Sequence, residues 1–363
     1  MNDKLLREAR EEINAVDEEM ARLFCRRMAA CRKVAQYKKE TGMPVFDPAR
    51  EEAVIARGAP RVEESLRGYY IHFLHANMEI AKAYQSRLLD GMHAAFAGKP
   101  GAFAEIAARR ILPAATPIAY EDFAAAYRAV EEGRCDVAVL PLENSTNGDV
   151  GTVMDLAFFG SLTINGVYDL TIEQNLLALP DAKISDIKTV ISHPQALGQC
   201  SAFLKEGGFD TRESATTATA AKLVAESGDR SLAAIGSAEA AEQFGLQVLR
   251  GRIHDKGGNT TRFAVFSQTA KAPSPSDGQF IMGFTVKNEA GALAKAISAI
   301  GEGGFNLRAI KSRPTKKLSW DYYFFCEGDG NIRTPAGEAM LERLKEDCND
   351  LKILGSFEKE MTV

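Results

Sequence analysis

The chain has 363 residues, of which 45% are apolar and 26% are charged, and its formal net charge is −5. A chain of this length predicts two or three domains, and its acidic balance argues against nucleic acid as the main partner. No stretch approaches the roughly 18 apolar residues of a membrane span, and the first residues form a charged amphipathic pattern rather than a signal sequence.

The cysteines and histidines predict neither disulfides nor a metal site. The six cysteines are scattered without a CxxC pair, which favours free thiols in a reducing cytoplasm. His72 and His75 are three residues apart with Glu79 one turn further on, but this spacing is more typical of an ordinary amphipathic helix. We therefore expect a cytoplasmic protein without a metal, and with neither nucleic acid nor a membrane as partner.

Residues 1–92 show the pattern of a helical module. Apolar residues recur every three or four positions from Leu6 to Val34, which predicts one long amphipathic helix that ends at Thr41-Gly42-Met43-Pro44. Asp47 followed by Pro48 indicates an N-cap and the first turn of a second helix. A third helix is predicted from about Leu66 to Met92.

Three cations, Arg10, Arg27 and Lys38, are widely spaced along the first predicted helix. At about 1.5 Å per residue, Arg10 lies roughly 25 Å from Arg27 and about 42 Å from Lys38. One small ligand cannot touch all three from a single straight helix. Either Arg10 reaches the site from a second chain packed antiparallel, or the three side chains form an ordinary solvated basic face.

Residues 1–92 resemble the all-helical chorismate mutase family. The resemblance rests on Arg10-x-x-Ile13-x-x-x-Asp17, Arg27, Val34-x-x-x-Lys38, Pro44-Val45-x-Asp47-x-x-Arg50-Glu51 and Gln85. It implies a domain-swapped helical dimer in which Arg10 crosses over to the other site.

The resemblance also implies a role for each of these residues. Arg10, Arg27 and Arg50 would hold the two carboxylates of chorismate, Lys38 and Gln85 would donate to the ether oxygen, and Asp47 and Glu51 would bind the hydroxyl or tune the site. Such residue types suit a pericyclic rearrangement, which needs a compact substrate conformer and donors where negative charge develops. The family often has a serine one turn before the glutamine, where this chain has Ala81.

Residues 93–270 alternate short apolar runs with alanine-rich helical stretches, which predicts an α/β fold. The runs 137–140, 189–191 and 232–235 are typical of buried parallel strands. Because ligands bind outside the carboxyl ends of such strands, the polar loops after the first two runs are candidate sites. These loops are Glu143-Asn144-Ser145-Thr146-Asn147-Gly148 and Ser192-His193-Pro194-Gln195, which leads to Gln199. The alternative for each is ordinary turn and capping chemistry.

A third polar motif, Asn259-Thr260-Thr261-Arg262-Phe263, follows a glycine turn at Gly257 and Gly258 and opens the apolar run 263–266. It brings an amide, hydroxyls and a guanidinium to the start of a predicted strand. Taken alone, it is equally well explained as a polar turn before a strand.

This segment resembles prephenate dehydratase from Gly98-x-x-Gly101-Ala102-Phe103, through Leu140-Pro141-Leu142-Glu143-Asn144-Ser145 and Ser192-His193-Pro194-Gln195, to Thr260-Thr261-Arg262-Phe263. The resemblance implies two subdomains around a cleft, similar to a periplasmic binding protein. It implies a central catalytic role for Thr261 and a pocket lined by Glu143, Asn144, Ser145, Ser192, Gln199, Thr260 and Arg262.

The implied reaction removes the ring hydroxyl and the ring carboxylate of prephenate and gives phenylpyruvate. Aromatisation drives it, so no cofactor is expected. The hydroxyl of Thr261 can donate a hydrogen bond as charge develops, and the full proton can come from Thr261, from Glu143 or through water. This chain departs from the family in Ala104, where a serine is usual, and in Glu173-Gln174-Asn175-Leu176, where the histidine usual near Ile172 is replaced.

Residues 271–278 have the composition of a linker, and residues 279–363 predict a small α+β domain. The predicted order is strand 279–287, helix 291–303, strand 305–312, strand 320–327, helix 335–346 and strand 351–357, a βαββαβ ferredoxin-like unit.

The third segment resembles the ACT regulatory domain of the dehydratase family. The resemblance implies a phenylalanine site formed by Gly291, Ala292, Leu293, Asn306, Leu307, Ser312 and Arg313, where the turn into the helix exposes N–H groups suited to a carboxylate. The usual glutamate before Ser-Arg-Pro is Lys311, which reverses a charge beside that site. The alternative is a domain that only dimerises the protein.

Together the three segments resemble bifunctional chorismate mutase–prephenate dehydratases over nearly the whole chain. The resemblance implies chorismate and prephenate as substrates, phenylalanine as a feedback effector, and a homodimer or higher homo-oligomer. Two alternatives stay open: arogenate in place of prephenate as the dehydratase substrate, and an amino-acid sensor without catalysis.

Overall fold

The computed structural model describes residues 2–146, 148–255, 259–315, 322–359 and 361–363. The glycine turn expected at Gly257 and Gly258 lies outside the described residues. The chain divides into two compact units, Met1–His93 and Ala94–Val363, and each is described by itself.

The first unit is helical, as the sequence predicts. Its helices are α1 (Asn2–Thr41), α2 (Pro48–Gly58) and α3 (Arg67–Asp90), and two short 3₁₀ turns, Ala59–Arg61 and Glu64–Leu66, separate α2 from α3. Gly42 follows α1 with φ of +68°, a conformation that favours glycine and ends the helix. Asp47 caps α2 by accepting a hydrogen bond from the Arg50 N–H at 3.0 Å.

Helix α1 leaves most of its apolar stripe uncovered. Among its described side chains, Ala35 is the single buried one. Ile13, Val16, Leu23 and Phe24 are 58%, 51%, 51% and 43% exposed. An apolar stripe of this length is unusual on a surface helix, since one face normally packs on a core.

The second unit begins with a lobe built on a mixed sheet. Its elements are β1 (Met92–Ala97), α4 (Phe103–Ile111), β2 (Ala115–Tyr120), α5 (Phe123–Glu131), β3 (Val137–Asn144), β4 (Gly148–Asp149), α6 (Gly151–Phe159) and β5 (Thr163–Thr171). Strand β11 (Thr260–Ser267) returns to this sheet between β5 and β3, and β4 pairs with β3.

The chain between β5 and β11 forms a second lobe. Its elements are β6 (Asn175–Ala178), the 3₁₀ turn Ile184–Asp186, β7 (Thr189–Ser192), α7 (Pro194–Gln199), α8 (Ser201–Glu206), β8 (Asp210–Glu213), α9 (Thr217–Ser227), β9 (Leu232–Gly236), α10 (Ala238–Phe244) and β10 (Gln247–Arg250). The strand order is β10-β6-β9-β7-β8. The α/β fold and its two lobes agree with the sequence, although the runs 137–140 and 189–191 belong to different sheets.

The last part of the chain has the expected βαββαβ order. Its elements are β12 (Asp277–Val286), α11 (Ala292–Glu302), β13 (Asn306–Pro314), β14 (Tyr322–Asp329), α12 (Pro335–Asp347) and β15 (Cys348–Glu358). The sheet order is β13-β14-β12-β15, so the first and third strands are central. A final strand, β16 (Met361–Thr362), pairs with β5 of the first lobe.

The two faces of this C-terminal sheet pack differently. One face carries α11 and α12 over a core that includes Phe280 and Phe284. The other face contributes Ile281, Tyr323 and Phe325 to the core of the first lobe. The Tyr323 ring stacks on that of Phe158, with centroids 4.3 Å apart. The sheet is therefore packed on the first lobe. The predicted linker boundaries, residues 271–278, stay predictions.

A β-bulge interrupts strand β13. Its register with β14 shifts between Leu307, which pairs with Gly328, and Ala309, which pairs with Glu327. Leu307 packs on the helix side of the sheet, and Lys311 pairs with Phe325, which faces the first lobe. Because a bulge adds one residue to one strand, the odd-numbered residues change face beyond it.

Candidate functional site

Two of the predicted mutase residues in the helical unit have buried polar atoms without a described partner. Gln85 is buried, and its Nε2 donates to the Ala81 carbonyl at 3.2 Å. Within the described residues, Gln85 Oε1 and one terminal nitrogen of Arg27 are buried without a hydrogen-bond partner. Lys38 Nζ donates to the Val45 carbonyl at 2.5 Å. These polar atoms of Gln85 and Arg27 are therefore free to bind a ligand or a second chain.

Lys82 lies beside the predicted site and was missed by the sequence interpretation. Its Nζ is 2.9 Å from Glu51 Oε1 and 2.7 Å from Glu79 Oε1, and 4.9 Å from the centre of the Phe46 ring. Burial lowers the pKa of Lys82, but the hydrogen bonds to Glu79 and Glu51 outweigh it and the net pKa is raised. Lys82 precedes Gln85 by three residues on one helical face, which was the available signal.

An open apolar groove of about 790 Å³ runs between α1 and α3. Its lining includes Leu23, Phe24, Phe73 and Ile80, together with the Arg27 side chain. Arg10 is exposed and does not line it. Within the described part of one chain, the structure therefore does not bring Arg10 to Arg27.

In the second unit, strand pairing brings two of the predicted loops together. Strand β11 pairs with β3 so that Thr261 lies opposite Asn144 and Arg262 opposite Glu143. The Asn144 Nδ2 donates to Thr261 Oγ1 at 2.8 Å and to Asn259 Oδ1 at 2.9 Å. Thr261 is 9% exposed. Its oxygen accepts from Asn144, and its own proton can be donated to a ligand.

Ser145 and Thr260 fasten these two segments to each other. The Thr260 N–H donates to Ser145 Oγ at 2.9 Å, and the Ser145 N–H donates to the Thr260 carbonyl at 2.8 Å. These contacts hold the loop after β3 against the start of β11. The substrate contacts expected of both residues stay predictions.

A line of amides continues from this site into the second lobe. The Asn259 Nδ2 donates to Gln199 Oε1 at 3.2 Å, and the Gln174 Nε2 donates to the same oxygen at 3.3 Å. Gln174 is 3% exposed. Ser192 is fully buried and donates to the Ile235 carbonyl at 2.8 Å, so its predicted contact with substrate stays untested.

Charged side chains surround Arg262 and Glu143. The two side chains are 3.4 Å apart, and Arg262 also lies 2.8 Å from Glu327 Oε2 of the C-terminal sheet. Lys311 Nζ lies 3.1 Å from Glu143 Oε2 and 2.5 Å from Asp149 Oδ1. The sequence did not indicate Asp149, Glu327 or Lys311 as neighbours of the site, because they meet it through long-range packing.

A cleft of about 200 Å³ lies between the two lobes. Phe103 and Arg110 line it from the first lobe, and Ser237 and Glu239 line it from the second. Arg110 and Glu239 form an ion pair across it. Gly101 (φ +85°) comes close to the second lobe, since a Cβ there would lie 3.2 Å from that of Ala218.

The predicted effector residues are distributed over both faces of the C-terminal sheet. Gly291 (φ +85°) precedes α11, and Ala292 and Leu293 form its first turn. On β13, Asn306 donates to Asp329 Oδ2 at 3.3 Å. Leu307 packs under α11 and α12, and Ser312 is exposed.

Arg313 contacts the first lobe instead. It donates to the two carboxylate oxygens of Asp155 at 2.8 and 3.0 Å, and this hydrogen bonding raises the pKa of Arg313. The Tyr323 hydroxyl also donates to Asp155, at 2.7 Å. A phenylalanine site that includes Arg313 stays a prediction.

Over the described residues, no three or more His, Cys, Asp or Glu side chains are grouped so that they could hold a metal ion. In the same part of the chain, the helices are too short or too polar to cross a membrane. The absence of metal and cofactor stays a prediction.

Residues 9–86 match the family model of chorismate mutase type II, and residues 94–271 match that of prephenate dehydratase. Over 370 residues the chain is 32% identical to a bifunctional chorismate mutase/prephenate dehydratase of Aquifex aeolicus (strain VF5), with 98% of each chain covered.

Two solved structures resemble the chain over about three quarters of its length. One is a prephenate dehydratase in complex with L-Phe from Arthrobacter aurescens, with 29% identity and a TM-score of 0.67, covering 74% of this chain and 90% of that one. The other is GqqA, described as a novel type of quorum quenching acylase, with 32% identity and a TM-score of 0.68, covering 73% of this chain and 97% of that one.

Proposed function

Because this chain belongs to the family of bifunctional chorismate mutase/prephenate dehydratases, we propose that it converts chorismate to prephenate and prephenate to phenylpyruvate, in the route to L-phenylalanine. The observation that carries the second step is the hydrogen bond from Asn144 to Thr261, at the point where β3 and β11 meet.

The dehydration step uses Thr261 as a hydrogen-bond donor to the departing hydroxyl. Asn144 occupies a lone pair of the threonine oxygen and so fixes the direction in which its proton can be donated. Asn259 holds Asn144 from the other side. The acceptor-rich substrate is anchored by Arg262, and Glu143 and water are the other candidates to deliver the full proton.

The mutase step uses a site shared by two chains. Arg27, Arg50 and Lys38 of one chain and Arg10 of the other bind the carboxylates and ether oxygen, and Gln85 donates to the ether oxygen. The uncovered apolar stripe of α1 and the groove beside Arg27 support this arrangement, since a second α1 would bury both. Asp47 and Glu51 complete the site, and Lys82 fixes Glu51.

Phenylalanine acts as a feedback effector at the C-terminal βαββαβ unit, which we assign to the ACT type in a homodimer or higher oligomer. A solved relative is a complex with L-Phe, which supports this ligand class. The N–H groups of the first turn of α11, after Gly291, suit a carboxylate.

The likeness to GqqA makes acylase activity a second candidate for the dehydratase lobes. Covalent acyl transfer needs a hydroxyl that donates to an adjacent base. The described side-chain contact of Thr261 is with the amide of Asn144 and not with a general base. This favours the dehydratase, and the absence of acyl release from N-acyl substrates would support it further.

One experiment separates these functions. The purified chain is incubated with chorismate, and prephenate and phenylpyruvate are followed by chromatography and absorbance; we expect both to form in that order. Prephenate that accumulates without phenylpyruvate would leave an amino-acid sensor attached to a mutase. A parallel assay with arogenate, which yields phenylalanine directly, decides between the two dehydratase substrates.

A further inference from the structure

The ion pair between Lys311 and Glu143 joins the C-terminal sheet to the dehydration site. We propose that Lys311 is a positioning residue for dehydration, whose ammonium holds the Glu143 carboxylate in place beside Asn144 and Thr261. The inference rests on the proposed dehydratase function, and it assigns to this site a side chain that the sequence placed beside the effector.

The β-bulge in β13 directs Lys311 to the dehydratase lobe. Beyond the bulge, Ala309, Lys311 and Arg313 pair with Glu327, Phe325 and Tyr323, which line the face of the sheet that packs on the first lobe. Arg313 uses the same face to bind Asp155. Without the extra residue, Lys311 would lie on the side of α11 and α12.

The contacts of Lys311 are those of a fixed charge rather than a mobile surface lysine. The side chain is 16% exposed, and its Nζ lies 3.1 Å from Glu143 Oε2 and 2.5 Å from Asp149 Oδ1. Asp149 lies opposite Glu143 in the β3–β4 pair, so the ammonium bridges two neighbouring strands. Burial lowers the pKa of Lys311, but the hydrogen bonds to Asp149 and Glu143 outweigh it and keep the pKa raised.

Lys311 lies between the negative charges of Glu143 and Asp149. Four carboxylates, those of Glu143, Asp149, Asp169 and Glu327, lie within 4.0 Å of Arg262 or Lys311. Without Lys311, the carboxylates of Glu143 and Asp149 would lose the ammonium that both contact, and like charges in a partly buried site repel strongly. Glu143 adjoins Asn144 in β3, so its displacement would move the amide that orients Thr261.

The test compares variants of the full chain that differ at one lysine. In Lys311→Met, we expect the dehydratase kcat to fall about tenfold or more, with KM changed by less than about threefold, because the group acts through Glu143 and not on the substrate. Lys311→Arg should keep most of the activity. The control Lys345→Met removes an exposed lysine of α12 that pairs with Glu342 in its own helix, and it should change neither constant.

Mutase turnover of the same samples and their thermal unfolding show whether the variants are folded. A Lys311→Met chain that is folded and has unchanged dehydratase kcat overturns the inference. The same variant with unchanged kcat, beside a Thr261→Val chain that is inactive, overturns only this inference and leaves the dehydratase function standing.

A charge exchange decides the matter where Lys311→Met fails to fold. Lys311→Glu should lower the dehydratase kcat by about a hundredfold. Adding Asp149→Lys should raise that kcat again by at least about tenfold, because the introduced ammonium lies opposite Glu143 and near the introduced carboxylate. A double variant no more active than Lys311→Glu alone contradicts the proposed role.

Discussion

The helical unit and the dehydratase lobes hold their candidate functional groups in opposite ways. In the lobes, Thr261, Asn144, Asn259 and Gln199 are bonded to one another within one chain. In the helical unit, Lys38 and Gln85 instead donate to the carbonyls of Val45 and Ala81, and the neighbouring groove is open. The first arrangement organises a site before substrate arrives, and the second leaves an open apolar surface for the second chain that we propose.

The largest expected effect is the loss of dehydration in Thr261→Val. Removing the hydroxyl takes away the proposed donor, and we expect dehydratase turnover to fall by about 10²–10⁴-fold. Valine has nearly the same shape, and Thr261 is almost buried, so the fold should survive. Phenylpyruvate formation from prephenate measures the loss. Mutase turnover in the same sample is the control, and a fully active dehydratase would remove Thr261 from the mechanism.

Lys38→Ala should lower mutase turnover by about 10²–10³-fold, because it removes a donor to the ether oxygen. Chorismate consumption is the measurement, and dehydratase turnover should stay unchanged. Arg10→Ala should also abolish mutase activity, although Arg10 lies far along α1 from Lys38.

Mixing these two inactive chains tests whether the site is shared. A heterodimer of Arg10→Ala with Lys38→Ala contains one intact site, so a random mixture should regain about a quarter of the wild-type mutase activity. No recovery after co-refolding, with heterodimers demonstrated by a tag, would place Arg10 and Lys38 in the same chain's site.

A charge placed in the groove should lower mutase turnover, by a smaller factor than Lys38→Ala, and leave dehydratase turnover unchanged. Phe24→Glu places a carboxylate on a stripe that is exposed in one chain, so the helix should still form while the second chain is excluded. We expect mutase turnover to drop about tenfold or more, with circular dichroism and dehydratase turnover retained. Ala30→Glu adds the same charge at an exposed α1 position outside the groove lining, and it should be active.

The smallest expected effect concerns alkaline pH. Burial raises the pKa of the Tyr127 hydroxyl, in the core of the first lobe, to about 12 from its ordinary value of 10.0. Unfolding releases that proton from pH 10 upwards, so this contribution to stability is full below pH 10 and is lost between pH 10 and about 12. Between pH 10 and about 12, the unfolding free energy of Tyr127→Phe should therefore decrease by about 2 kcal/mol less than that of the wild type.

The helical unit provides the comparison for this prediction, since none of its four tyrosines is buried. Mutase activity should therefore survive to higher pH than dehydratase activity. Equal alkaline inactivation of both, in wild type and in Tyr127→Phe, would show that Tyr127 does not limit the lobe. The substitution also removes the hydrogen bond from the Leu162 N–H, and this loss lowers the unfolding free energy by a constant amount that is measured at neutral pH.

The local patterns of the sequence predicted most of the elements. The helices of the first unit, the βαββαβ order and the strand that begins at Thr260 all follow from periodicity, caps and turn residues that act within a few positions. The grouping of Asn144 with Thr261 needed the resemblance, since more than a hundred residues separate them in sequence.

The sequence could not show which groups surround Arg262. Because Lys311 precedes Ser312 and Arg313, the sequence places it beside the effector site. No local pattern shows that it contacts Glu143 and Asp149. Gln174 lies in a stretch that the sequence marks only as a departure from the family, although its side chain bonds to Gln199. Lys82 was passed over because one lysine on an amphipathic helix is usually solvated.

The bulge of β13 also limits how this strand can be compared with others. The surplus residue lies between Leu307 and Ala309 and exchanges the two faces of everything from there to Pro314. In a relative without this extra residue, identical residues before Ser-Arg-Pro would face the helices instead of the first lobe. Deleting Arg308 would therefore alter the surroundings of Lys311, Ser312 and Arg313 together without changing any of the three, so alignment gaps in this strand carry as much meaning as substitutions.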